Sequence, residues 1–248
     1  MCSDNPQSTG TNPLTRFEKI TKFIEIVVVT IGVSIAFCAL TVYQKANTEY
    51  HKANLVSMYS KLTEQETRLY DRLYQNDALN SFWAGLPEGL SIKEKADARL
   101  ALLFTKGNKE GKASPTKILK WNNIKDLDDQ IWSHDTFDNP NYRQLRDGFN
   151  YAEEILYMQA SAYFSIQQGL MTEEEGEAFS TFIEDIGEHP LYLAAVAWNH
   201  DYGGITKPIA ERIKDTYQKN TNLKEVALAL YPEMINDPGW VEKTGTKK

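Results

Sequence analysis

The chain has 248 residues, is 42% hydrophobic and 25% charged, and carries a formal net charge of −7. That composition excludes a disordered or low-complexity protein and supplies enough apolar material for one ordinary folded domain. The two cysteines, Cys2 and Cys38, lie near the N-terminus, so the rest of the chain has no disulfide, no thiolate nucleophile and no cysteine-ligated metal.

Residues 1–22 begin with a Ser-, Thr-, Asn- and Pro-rich stretch and read as a polar, disordered tail. From Ile26 to Tyr43 the sequence IVVVTIGVSIAFCALTVY has no charge. A helix of that length rises about 27 Å, close to the hydrocarbon thickness of a bilayer. A buried core helix and a cleaved signal peptide are the two alternatives. The span is preferred because no other segment is comparably apolar, because Lys19, Lys22 and Tyr43 suit the two interfaces, and because no clear small-residue cleavage site follows. The expectation is a single transmembrane helix over 23–43, so the lipid bilayer is the first partner and the location is a membrane. Arg16, Lys19 and Lys22 on the N-terminal side outnumber Lys45 and Lys52 by one, which favours a cytoplasmic N-terminus.

Within this helix Gly32 and Ala36 form a small-xxx-small pair where a second helix can approach closely. Self-association through that face is one expected contact. Residues 1–43 hold three acids and three bases, so all of the excess negative charge falls beyond them. A domain of that sign repels a phosphate backbone, and no nucleic-acid partner is expected.

Residues 44–240 read as one helical domain, followed by a frayed tail over 241–248. Leu55, Leu62 and Leu69 recur every seven residues, with Tyr59, Glu66 and Leu73 at the other seam position. An amphipathic helix packing on its own domain explains them better than a coiled coil. Gly85, Pro87 and Gly89 break the pattern, and Ser91 caps a second helix with Ile92, Ala96, Leu100, Leu103 and Phe104 on its apolar face. A Gly- and Lys-rich loop over 105–115 precedes a shorter helical piece around 117–132.

The strongest helical pattern covers 140–168. Asn139 is its candidate cap, Pro140 suits its first turn, and two adjacent apolar stripes running from Tyr142 to Ile166 make a wide buried face. That helix should be central, ended by Gly169. Thr172 and Glu175 form a capping box for the next helix, which runs to Gly187. Pro190 opens a helix with Leu191, Ala194, Ala195, Trp198 and Tyr202 facing inward, stopped at Gly203 and Gly204. Pro208 opens another, and a last helix lies around 223–230. The fold class is therefore all-α, a transmembrane helix followed by an irregular bundle of six or seven helices.

Chemistry is sparsely signalled. The histidines are His51, His134, His189 and His200. Asp185, His189 and His200-Asp201 are the nearest thing to a metal set, but Gly187 interrupts the helix between the first two, and no His-Glu-x-x-His motif appears. Capping or surface roles are expected for these groups, and no cofactor or metal is expected. The acidic pairs Asp128-Asp129, Glu153-Glu154 and Glu184-Asp185 read as solvated helix faces. Lys106, Lys109, Lys112 and Lys117, with Lys120 and Lys125, fall within twenty residues opposed only by Glu110. In a tethered domain they are candidate contacts for anionic lipid headgroups.

The long helix YRQLRDGFNYAEEILYMQASAYFSIQQGLM, the GLMTEEE turn, the helix after it and the tryptophan of AVAWNHDY resemble a loose class of uncharacterised bacterial single-pass membrane proteins. These join an N-terminal anchor to a C-terminal helical domain. The resemblance covers residues from about Asn139 to Tyr202. It implies a bacterial inner-membrane setting and structural roles for Asn150 and Glu153, and it carries over no activity and no functional residue.

Three functions fit these features. The preferred one is a membrane-tethered interaction or scaffold module with a protein partner. A sensor or signalling subunit comes second. An enzyme comes third, and it would need groups such as Glu153 or Glu154 brought to His189 or His200.

Overall fold

The computed structural model describes residues 16–77, 79–107, 121–132, 140–180, 183 and 186–241. Among these residues the fold is entirely helical, with nine α-helices and one 3₁₀ turn. The helices are α1 (Arg16–Gln75), α2 (Ile92–Gly107), α3 (Ile124–Trp132), α4 (Pro140–Gln167), α5 (Glu173–Ser180), α6 (Pro190–Asp201), α7 (Lys207–Lys219), α8 (Thr221–Leu230) and α9 (Pro232–Asn236). The 3₁₀ turn, Leu79–Phe82, lies between α1 and α2. Eight helices follow α1, against six or seven expected. The five-residue α9 was not expected, its period being too brief to register in sequence, whereas α3 falls within the helical piece expected around 117–132. The expected polar tail over 1–22 is corrected at its C-terminal end, where residues 16–22 already belong to α1, and the expected loop over 105–115 starts later, because 105–107 continue α2. Residues 1–15, 108–120 and 242–248 lie outside the described residues.

The chain divides into two compact units, residues 1–54 and 55–248. In the first, α1 is long and apolar enough to cross a membrane: its most apolar window has a mean hydropathy of 2.0 and none of it is buried. Val28, Ile35, Phe37 and Val42 each expose more than half their surface.

In the second unit the heptad positions of α1 do what an amphipathic helix requires. Leu62, Leu69 and Leu73 are buried, while Leu55 and Tyr59 pack half-covered against the same core. Arg72 pairs with Glu154 of α4, and the Tyr59 hydroxyl bonds Glu175 of α5, so polar contacts flank the apolar seam.

The centre of this unit is α6. Ten of its twelve residues are buried, and it packs on α2, α3 and α4. A helix hydrophobic all round belongs in the interior, and this one has only Trp198 and Asp201 reaching towards its C-terminal end. The predicted central helix α4 contacts α2, α3, α5 and α6 as its two stripes imply, although Tyr142 and Tyr163 are only half-buried.

Punctuation agrees with the sequence in detail. Thr172 and Glu175 exchange backbone and side-chain bonds, Glu175 N to Thr172 Oγ1 at 3.2 Å and Thr172 N to Glu175 Oε2 at 2.8 Å. Ser91 and Glu94 form a second such box. Gly169 takes φ +67° and closes α4 with its amide on the Ile166 carbonyl, the left-handed position that glycine adopts without a Cβ clash.

Candidate functional site

The polar and aromatic groups that the fold gathers lie around the C-terminal end of α6 and the helices beside it. Asn199 is buried, and its Nδ2 donates to Glu153 Oε1 at 3.1 Å and to the Ala195 carbonyl at 2.9 Å. The Tyr157 hydroxyl stands 3.0 Å from Asn199 Oδ1 and 3.3 Å from Glu153 Oε1. This network ties α4 to α6. Burial, and then the Glu153 carboxylate, raise the Tyr157 hydroxyl above its ordinary value, so it stays protonated and acts as a donor.

His200 is buried and lies flat against Trp240, ring centroids 4.2 Å apart and planes 4° apart, with Nδ1 3.1 Å from Asp201 Oδ1. Trp240 Nε1 in turn donates to Tyr231 Oη at 3.0 Å. His189 is equally buried but sits at the other end of α6, where its Nδ1 accepts from Leu191 N at 3.2 Å and caps the helix. Desolvation, aided by the nearby Arg99, lowers the His189 imidazole well below its usual range, so it is neutral. The expected capping role of a histidine is thus seen at His189, in a core setting rather than a surface one.

The expectation of solvated acidic faces fails at Asp128. On α3 this carboxylate turns beneath its neighbours, and Oδ1 is enclosed with no hydrogen-bond partner. Burial, with Asp129 and Asp201 of like charge nearby, pushes the carboxyl up to about 7, and the side-chain bond from Trp132 offsets only part of that. Asp129, one residue on, is exposed as expected.

Three rings cluster beside these acids, one pair stacked and the other tilted. Trp132 and Trp198 have centroids 4.6 Å apart, and Trp198 and Tyr202 have centroids 3.9 Å apart. Trp132 also meets the buried Phe149 edge-on at 5.4 Å. Tyr202, expected to face inward, is 62% exposed. The reason is that α6 ends at Asp201, so Tyr202 is the cap residue and leaves the helical register.

No protein-family model, no curated protein and no solved structure matches the chain.

The residues singled out in the sequence are distributed as follows. Gly32 and Ala36 are exposed, and a Cβ on Gly32 would meet nothing within 4 Å. Lys106 lies in the last turn of α2, whereas Lys109, Lys112 and Lys117 lie outside the described residues, as do His134 and Asp185. Glu154 pairs with Arg72, Glu153 with Asn199, His189 with the Leu191 amide and His200 with Trp240 and Asp201. The acid–base pairing of Glu153 or Glu154 with His189 or His200 is not among these contacts. Among the described residues no group of three His, Cys, Asp or Glu is arranged to hold a metal. The ring stack and the enclosed Asp128 were missed in sequence. The four-residue spacing of Trp198 and Tyr202 in sequence was the available signal.

Proposed function

We propose that the chain is a single-pass membrane protein whose second unit is a helical interaction module, held at a bilayer by residues 23–43 with the N-terminus on the cytoplasmic side. The observation that carries this reading is the bare apolar surface of α1: a window of mean hydropathy 2.0 with no part buried. In water such a surface costs about 25 cal/mol for every Å² exposed, whereas in lipid it is solvated. A core helix would be enclosed by its own fold, and this window is not.

The second unit supports the interaction role in a different way. Glu153, Asn199 and His189 are tied into helix caps and core contacts, while Trp132, Tyr202 and Asp129 offer exposed aromatic and acidic surface suited to another protein. Chemical crosslinking of the full chain in its native membranes, followed by purification in mild detergent, tests the role. A defined crosslinked partner, or a defined homo-oligomer, is the expected result. A clean uncrosslinked monomer would contradict it.

A further inference from the structure

The stack of Trp132, Trp198 and Tyr202 is larger than core filling requires. Trp198 stacks on Trp132 and meets Tyr202 at a tilt of 34°, and those two residues are 38% and 62% exposed. Acids stand around it. Asp129 is exposed on α3, the Asp201 side chain is 36% exposed at the end of α6, and the enclosed Asp128 feels both. Lys125, which feels Asp201, is committed to Glu233 at 2.7 Å. Uncovered ring faces and net negative charge therefore coincide on one surface.

Ring faces are negative and attract cations, and a carboxylate alongside strengthens the attraction. The chain already uses this combination internally: Lys93 Nζ sits 3.4 Å over the Trp121 ring while bonding Asp97 at 2.7 Å. We propose that the ring stack is a docking site for a basic segment of a protein partner, an arginine lying on the exposed face of Tyr202 or Trp132 with its guanidinium answered by Asp201 and Asp129. Arginine suits the site better than lysine because its planar, weakly hydrated head stacks on rings and still offers donors at its edge. Nucleic acid and anionic lipid carry the wrong charge for this face. The proposal rests on the interaction-module reading and names the chemistry of the partner.

The test is fluorescence anisotropy of labelled Gly-Arg, Gly-Lys and Gly-Glu repeat peptides with the full chain in detergent micelles. The Gly-Arg peptide should bind most tightly and the Gly-Glu peptide not at all. Tyr202→Ala, and separately the pair Asp129→Asn and Asp201→Asn, should each weaken Gly-Arg binding about five- to tenfold. Tyr202→Phe, which keeps the ring face, should restore it. Glu173→Gln with Glu174→Gln, which removes equal charge at the start of α5, should leave it unchanged; circular dichroism confirms that each variant is folded. Equal binding by all variants, or no preference over the Gly-Glu peptide, overturns the assignment. If that happens while the full chain still crosslinks to a partner in membranes, the docking site falls and the module reading stands. If peptide binding follows the ring stack but membranes yield no partner, the module reading falls instead.

Discussion

The Phe82 ring lies flat on the His189 imidazole, centroids 3.7 Å apart and planes 8° apart. One residue therefore joins the 3₁₀ turn to the start of α6, because His189 also caps that helix through Nδ1. His189→Ala removes the cap and leaves a void beside Phe82, and should destabilise the second unit by about 2–3 kcal/mol. His189→Asn keeps a capping acceptor and should lose less. Urea unfolding of the full chain in detergent, followed by tryptophan fluorescence, measures the difference.

The lowered His189 value also has a pH signature. The unfolded chain takes up a proton below about 6.5, while the folded imidazole resists it, so falling pH favours unfolding. Stability should decline as pH is lowered through that range, and His189→Asn should lessen the decline.

Asp128 works in the opposite direction. Its folded value is raised from 3.8 to about 7, so the folded state holds a proton that the unfolded state releases. That contribution is fully present below pH 4 and fades as pH rises to 7. Asp128→Asn, which can still accept from Trp132, should stabilise the unit at pH 8 by about 1–2 kcal/mol after allowance for partial solvent exposure. The gain should shrink towards pH 4. A melting temperature series across pH checks both the sign and the window.

Arg99 holds the 3₁₀ turn from the other side. Its Nη1 donates to the carbonyls of Ser81 and Phe82, each at 3.2 Å, and of Ala84 at 3.4 Å. Arg99→Met keeps much of the stem but strands these acceptors, and a loss of about 2–3 kcal/mol is expected. Arg99→Lys should recover only part of it, since an ammonium lacks the planar fork. Unfolding midpoints of the two variants give the comparison.

Gly187 lies in the segment between α5 and α6 at a position with no room for a side chain. A Cβ there would stand 2.4 Å from the Ile183 carbonyl, and the Gly187 carbonyl accepts from the buried Tyr217 hydroxyl at 2.9 Å. Gly187→Ala should cost about 2 kcal/mol or more. Gly85→Ala, with nothing within 4 Å of its Cβ, should be within about 0.5 kcal/mol of the parent. Thermal unfolding of the pair separates a steric requirement from a general effect of removing glycine.

Local signals carried most of the fold. The boxes at Ser91-Glu94 and Thr172-Glu175, the left-handed Gly169 and the proline openings of α6 and α7 act within a few residues, so they could be read directly. What could not be read depended on which helices meet. Asp128 looks like its neighbour Asp129 in sequence, yet only Asp128 turns inward, because α3 packs on α6. Tyr202 continues the apolar spacing of α6, but the helix stops one residue before it. His189 caps its helix as expected, but its burial and that of His200 depend on stacking with partners distant in sequence, Phe82 and Trp240. The candidate docking site combines both kinds of miss.

The central claim is that the first unit is solvated by lipid. Carbonate extraction of membranes from cells expressing the full chain, with N- and C-terminal tags followed by immunoblot, tests it most directly. Anchoring through residues 23–43 predicts that the intact chain, with both tags, stays in the membrane pellet after alkaline washing and is released only by detergent. Recovery of the chain in the soluble fraction, or loss of the N-terminal tag with release of the remainder, would contradict it.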